Sequence, residues 1–169
     1  MSQAKNKLKW CLKKAEAELK AQGKHRGLFK TNPDIEKAKK YIKKAEHYFN
    51  ATEYLKEGNY SDISASTIFY SMYHCLLAIA AKFGFESGNQ ECTFTLIYAL
   101  IEDKEIDFDI EMLEKISSLD ISKNVDSTTI NIREKYQYGT NLSLEDNIYE
   151  ELITLARKVI SKTKVIIEK

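Results

Sequence analysis

Arg133 and Gln137 lie four residues apart in the segment IREKYQYG, residues 132–139, and their types and spacing suggest a binding function. Residues four apart on a helix share a face, so both side chains would meet the same ligand. A guanidinium can bind phosphate oxygens through two parallel hydrogen bonds, which makes Arg133 a candidate phosphate-binding residue. The alternative is structural, with Arg133 forming an ion pair to an acidic residue of the last predicted helix.

A second group of polar side chains interrupts the most apolar stretch of the chain, residues 61–84. Tyr70 and His74 are four residues apart, so they share one helical face, and Tyr73 lies beside them. They could form a ligand- or RNA-facing patch in which His74 acts as an acid or base, since an imidazole titrates near neutral pH. The alternative is a buried polar cluster whose hydrogen bonds are satisfied by neighbouring helices.

Other chemistry has little support in the sequence. It contains no zinc-protease, phosphate-loop, dinucleotide-binding, nucleophile-elbow or calcium-loop motif, so we expect no metal and no cofactor. The three cysteines, Cys11, Cys75 and Cys92, are odd in number and far apart, which argues against a disulfide or a zinc site and for a reducing compartment. Cys75 is interpreted as a small buried hydrophobic residue.

Composition and periodicity predict an all-α protein, an up-and-down helical bundle of four to five main helices plus short ones. Hydrophobic residues make up 43% of the 169 positions, while one proline and six glycines leave little room for many turns. Residues 61–84 lack Lys, Arg and Glu until Lys82, so this helix should be central. We expect N-caps at Asn32 and Ser61, a capping box at Ser143, and a C-terminal glycine at Gly84. The predicted helices are residues 4–22, 33–57, 61–84, 91–102, 109–119, a short one from 126 or 127, and 144–167.

We expect one domain over residues 1–169, with residues 1–30 as a basic, helical N-terminal extension. Residues 1–44 carry 14 Lys and Arg against 4 Asp and Glu, which gives +10, whereas the remainder carries 12 against 21, which gives −9. The basic end could attract phosphate backbones or an acidic partner, or the two halves could neutralise each other. No run of 18 apolar residues and no apolar leader is present, so the expected location is cytoplasmic, away from membranes.

The order of several segments resembles the HEPN superfamily, and within it the archaeal UPF0332-type group. The likeness covers about residues 30–167. It rests on four segments in this order: NPDIEKAKKYIKKAE (32–46), ASTIFYSMYHCLLAIAAKFG (65–84), ESGNQECTF (86–94) and REKYQYG (133–139).

The resemblance implies a helical bundle that dimerises, a metal-independent ribonuclease activity in many relatives, and a small nucleotidyltransferase antitoxin as frequent partner. In those relatives an arginine is followed, after four to six intervening residues, by a histidine. Here Arg133 matches the arginine, but Tyr138, Gly139 and Thr140 occupy the region of the histidine and of the tyrosine that follows it. A tyrosine with an ordinary pKa of about 10 is a poor base near neutral pH. Gln90 also stands where relatives often have histidine.

The sequence therefore predicts a homodimeric nucleotide- or RNA-binding HEPN-like protein with a degenerate catalytic site, acting with a nucleotidyltransferase in a toxin–antitoxin-like system. One alternative is an active metal-independent ribonuclease, with His74 or Tyr138 in place of the missing histidine. Another is a protein–protein adaptor without nucleotide affinity. The residues expected to bind a ligand are Arg133, Gln137, Tyr70 and His74.

Overall fold

The computed structural model describes residues 2–117 and 128–169, and this part of the chain holds seven helices and two short strands. The all-α prediction is confirmed. The predicted helix end at 119 and the predicted helix start at 126 or 127 lie outside the described residues. The elements are α1 (Gln3–Gln22), β1 (Leu28–Lys30), α2 (Ile35–Glu57), α3 (Ser61–Lys82), β2 (Phe85–Ser87), α4 (Gln90–Glu102), α5 (Ile110–Ile116), α6 (Thr129–Tyr138) and α7 (Asp146–Glu168).

Helix α3 is the centre of the bundle, as its nearly uncharged sequence predicts. It packs against α2, α4, α6 and α7, and Phe69, Met72 and Leu76 on it are fully buried. By length and composition α3 could also cross a membrane, but 72% of its most apolar window is buried inside the bundle, and a central core helix meets the same criterion. The predicted glycine after α3 is confirmed, since Gly84 has φ 75°.

The three predicted N-caps, at Asn32, Ser61 and Ser143, are wrong, and tertiary contacts explain two of them. Ser61 lies inside the first turn of α3, after the N-cap Tyr60, and its hydroxyl accepts a hydrogen bond of 2.9 Å from the backbone N–H of Leu144. That contact holds buried Leu144 in the loop, so α7 begins at Asp146 and not with a capping box at Ser143. Helix α2 begins after Asp34 and not after Asn32, because the Asp34 carboxylate accepts from the backbone N–H of Lys37 at 2.8 Å.

A two-stranded antiparallel ribbon joins two segments that lie between predicted helices. Strand β1 pairs with β2, with Leu28 opposite Ser87. Three residues are too few to give an alternating pattern, and the two strands are far apart in the chain, so this pairing depends on the packing of the helices. The ribbon places β1 at the C-terminal end of α3.

The expectation of three free cysteines is wrong, because Cys11 of α1 and Cys92 of α4 form a disulfide across 81 residues. Both cysteines are buried, and Cys75 remains as the free, fully buried thiol. Spacing along the chain cannot predict such a pairing, since it requires α1 to lie on α4. The prediction for Cys75 is confirmed.

The basic α1 packs against α4 and forms ion pairs with acidic residues at its two ends. Lys5 contacts Asp103, and Lys7 contacts Glu91. Elsewhere Lys164 of α7 pairs with Glu46 of α2. Part of the N-terminal positive charge is therefore neutralised within the chain, although these exposed pairs contribute little stability.

Candidate functional site

Arg133 of α6 lies against the central helix and is only 7% exposed. Its guanidinium carbon is 4.8 Å from the centre of the Phe69 ring, within the range of a cation–π contact. Nη1 donates to the Tyr70 hydroxyl at 3.3 Å, and Nη2 pairs with Glu134 at 3.0 Å. The guanidinium is thus held in one place by side chains of α3 and α6.

These contacts correct the structural alternative for Arg133. Its carboxylate partner is the next residue, Glu134, and not an acid of α7. The Glu134 side chain is 52% exposed, so an incoming phosphate could displace it without opening the core. The Nε atom of Arg133 is buried and has no hydrogen-bond partner among the described residues, so these residues do not use the full hydrogen-bonding capacity of this arginine.

Gln137 lies one turn beyond Arg133 and also faces α3, as its spacing predicts. Its side-chain oxygen accepts a long hydrogen bond of 3.5 Å from Ser66. Tyr138, in contrast, is 76% exposed at the end of α6. Five residues of helix turn it about 140° away from Arg133, so Arg133 and Tyr138 cannot act together from one face of α6.

Four half-buried rings continue from Tyr70 across the surface between α3 and α2, and we call them the aromatic row: Tyr70, Tyr48, His74 and Tyr41. The ring centres are 5.9 Å apart for Tyr70 and Tyr48, 5.1 Å for Tyr48 and His74, and 6.1 Å for His74 and Tyr41. Lys44 lies over the Tyr48 ring at 5.2 Å. The structure therefore brings together Arg133, Tyr70 and His74, and it adds two tyrosines of α2.

The surroundings of His74 favour the neutral form of its imidazole. Burial, and secondarily the positive charge of Lys44, lower the pKa of its imidazole below the ordinary value. Its Nδ1 atom is buried and has no hydrogen-bond partner within residues 2–117 and 128–169. Among the described residues the side chain of Arg133 hydrogen-bonds Tyr70 and Glu134 and not His74, which lies one turn after Tyr70 on α3.

Tyr73 does not belong to this surface, so of the two interpretations given for Tyr70, Tyr73 and His74 the ligand-facing patch does not apply to Tyr73. Its ring is buried and stacks 6.0 Å from Phe69, and its hydroxyl shares a 3.0 Å hydrogen bond with Thr93 of α4. Burial raises its pKa. For Tyr73 the alternative of a satisfied polar group in the core is correct.

Two features of the site were missed by reasoning from sequence: Phe69 as the ring beneath Arg133, and the α2 tyrosines. Tyr41, Lys44 and Tyr48 recur at steps of three and four, so the signal for one helical face was present. Within residues 2–117 and 128–169, no three His, Cys, Asp or Glu side chains are grouped so that they could hold a metal ion.

Comparison with known protein families supplies the remaining observation. Residues 38–166 match the family model described as HEPN domain. The chain belongs to the HEPN domain family. HEPN domains are generally RNA-binding or ribonuclease-related. Arg133, Gln137 and the aromatic row all lie inside the matched residues, whereas α1 and β1 precede them. No curated protein matches this sequence.

Proposed function

We propose that this HEPN domain binds single-stranded RNA or a nucleotide at Arg133 and does not cleave it. The observation that supports the proposal best is the fixed guanidinium. It is held over Phe69 and by Tyr70, and one of its donors is paired only to the exposed carboxylate of Glu134. A preorganised guanidinium loses little freedom on binding a phosphate.

The groups around Arg133 support the proposed absence of cleavage. Attack by a ribose hydroxyl needs a base that accepts its proton, and an imidazole suits that role near neutral pH. None of the three histidines of the chain hydrogen-bonds Arg133: His74 lies beyond Tyr70 and contacts Tyr41 and Tyr48, His47 is exposed on α2, and His25 contacts Phe29. Tyr138 projects from another face of α6.

The proposal extends to partners. We infer that the protein forms a homodimer and acts with a small nucleotidyltransferase in a toxin–antitoxin-like system. This expectation comes from the resemblance described under Sequence analysis. Its test is the mass of the purified protein in solution, alone and after co-expression with a nucleotidyltransferase encoded beside it. A monomer that copurifies with no such enzyme would contradict this part of the proposal.

Binding is tested with the substitution Arg133→Met, which keeps an apolar stem over Phe69 and removes the charge. Arg157 of α7 offers a matched control, because it also lies over a phenylalanine ring, at 5.6 Å from Phe49, and pairs with Glu53 at 3.0 Å. Fluorescence anisotropy with a short labelled single-stranded RNA is measured at two salt concentrations. We expect Arg133→Met to weaken RNA binding roughly 10-fold or more, because that factor corresponds to the loss of one charged hydrogen bond. Arg157→Met should bind RNA with nearly the affinity of wild type.

Two outcomes would refute the proposal. If wild type binds neither RNA nor ATP at either salt concentration, the domain is an adaptor without nucleotide affinity. If a gel assay shows that wild type cleaves the RNA and Arg133→Met does not, the protein is an active ribonuclease. Binding through phosphates should also weaken steeply as salt rises.

A further inference from the structure

We infer that the aromatic row is a base-stacking subsite for single-stranded RNA, continuous with the phosphate site at Arg133. The inference rests on the proposed function and names the part of the ligand that the row contacts. Successive bases would lie against Tyr70, Tyr48, His74 and Tyr41, while Arg133 holds a phosphate at one end. Aromatic side chains accept any base, so the subsite is not selective for sequence.

The first support is the arrangement of side chains on α2. Lys37, Tyr41, Lys44 and Tyr48 follow one another at steps of four, three and four, so cations and rings alternate along a single helical face. Within the described residues Lys44 has no carboxylate in ion-pair distance, and its Nζ atom lies 5.2 Å from the Tyr48 ring centre. Alternating cations and aromatic rings suit a ligand with alternating phosphates and bases.

The second support is a polar atom that has no hydrogen-bond partner in the described part of the chain. Nδ1 of His74 is buried, and none of the surrounding rings offers it a hydrogen bond: Tyr41 and Tyr48 approach it as aromatic neighbours at 6.1 and 5.1 Å. An imidazole nitrogen without a partner is costly in a core, where such groups are normally satisfied. Because this nitrogen has almost no exposed surface, a base edge or a ribose hydroxyl would reach it only when the neighbouring rings move aside.

The third support is charge. Acidic side chains contact this surface at its two ends, where Glu134 pairs with Arg133 and Glu86 pairs with Lys37 at 3.1 Å. Both carboxylates are about half exposed, so each can move aside. Between these ends the surface presents the four rings of the aromatic row and the ammonium group of Lys44. This balance favours a polyanion with flat bases over an acidic or a neutral peptide.

The experiment separates base stacking from phosphate binding. Affinity is measured for a short single-stranded RNA and for an abasic chain of equal length and charge, with wild type, Tyr48→Leu and Tyr48→Phe. Tyr54→Leu is the matched control, since Tyr54 is on the same helix but 76% exposed and off the row. Thermal unfolding of each variant verifies that it is folded.

If the row stacks bases, wild type should bind the abasic chain at least roughly 5-fold more weakly than RNA. Tyr48→Leu should lower the affinity for RNA by about the same factor and leave the affinity for the abasic chain unchanged. Tyr48→Phe and Tyr54→Leu should bind RNA like wild type. One outcome separates the two claims. If Arg133→Met weakens RNA binding, but Tyr48→Leu binds RNA as well as wild type does and the abasic chain binds as well as RNA does, the stacking inference is wrong and the proposed function stands. If Tyr48→Leu changes only the oligomeric state, the row is an interface between two copies and the inference is also wrong. If wild type binds no RNA, the stacking inference and the proposed binding of RNA are both wrong.

Discussion

Loss of the Cys11–Cys92 disulfide should strongly destabilise this domain, and the size of the effect can be worked out from the fold. The bond closes a loop of 81 residues, between the N-terminal α1 and α4. A cross-link of that span restricts the unfolded chain by an entropy that corresponds to about 4.5 kcal/mol at 25 °C. For a chain of 169 residues, this lowers the unfolding midpoint by roughly 9–18 °C.

Cys11→Ala is the suitable perturbation, because Cys11 is fully buried and alanine adds no polar atom there. Urea and thermal unfolding are followed by circular dichroism, with and without a reducing agent. Trp10, which is the single tryptophan and is 53% exposed on α1, reports whether α1 stays docked. Reduced wild type should have nearly the same free energy of unfolding as Cys11→Ala. The reducing agent should not change the free energy of unfolding of Cys11→Ala.

A double-mutant cycle supplies the control. One bond can be lost only once, so Cys11→Ala/Cys92→Ala should be little less stable than either single variant. The reasoning is refuted if reduction leaves the midpoint of wild type unchanged, or if unfolded, non-reduced wild type titrates three thiols instead of one.

Three further predictions follow from single residues. Burial raises the pKa of Cys75 to about 12, so the folded, non-reduced protein should not react with a thiol reagent at pH 8, whereas denaturant should release one reactive thiol. Folding lowers the pKa of His74, so the unfolded state binds more protons than the folded state as pH falls below about 6.5. The free energy of unfolding should therefore decrease below that pH. Urea unfolding at a series of pH values should show a smaller decrease for His74→Gln than for wild type. Gly84→Ala should lower the free energy of unfolding by about 1–3 kcal/mol in the same assay, because Gly84 has φ 75° and a Cβ there would lie 2.8 Å from the carbonyl oxygen of Thr31. Gly88→Ala is the control: a Cβ at Gly88 would have only contacts of 3.5 Å or more, so stability should hardly change.

The candidate site was predictable in part, for reasons that differ between residues. Arg133, Gln137, Tyr70 and His74 were recognisable because helical spacing places residues four apart on one face. The same spacing could not tell which side of α3 is covered, so Tyr73 was grouped with the site although it packs against Thr93 in the core. The partner of Arg133 was also undetermined, because Glu134 and the acids of α7 were equally available by composition.

The sequence alone determined that this protein is a bundle around one nearly uncharged helix, and that its arginine has no histidine after it in α6. Periodicity, composition and the identity of a residue are local properties, so they can be established without coordinates. Only the tertiary structure decided that Cys11 meets Cys92, that β1 pairs with β2, and that the tyrosines of α2 join Tyr70 and His74 in one row. Each of these depends on how separate elements pack together, and contact between distant segments leaves no pattern in the order of residues.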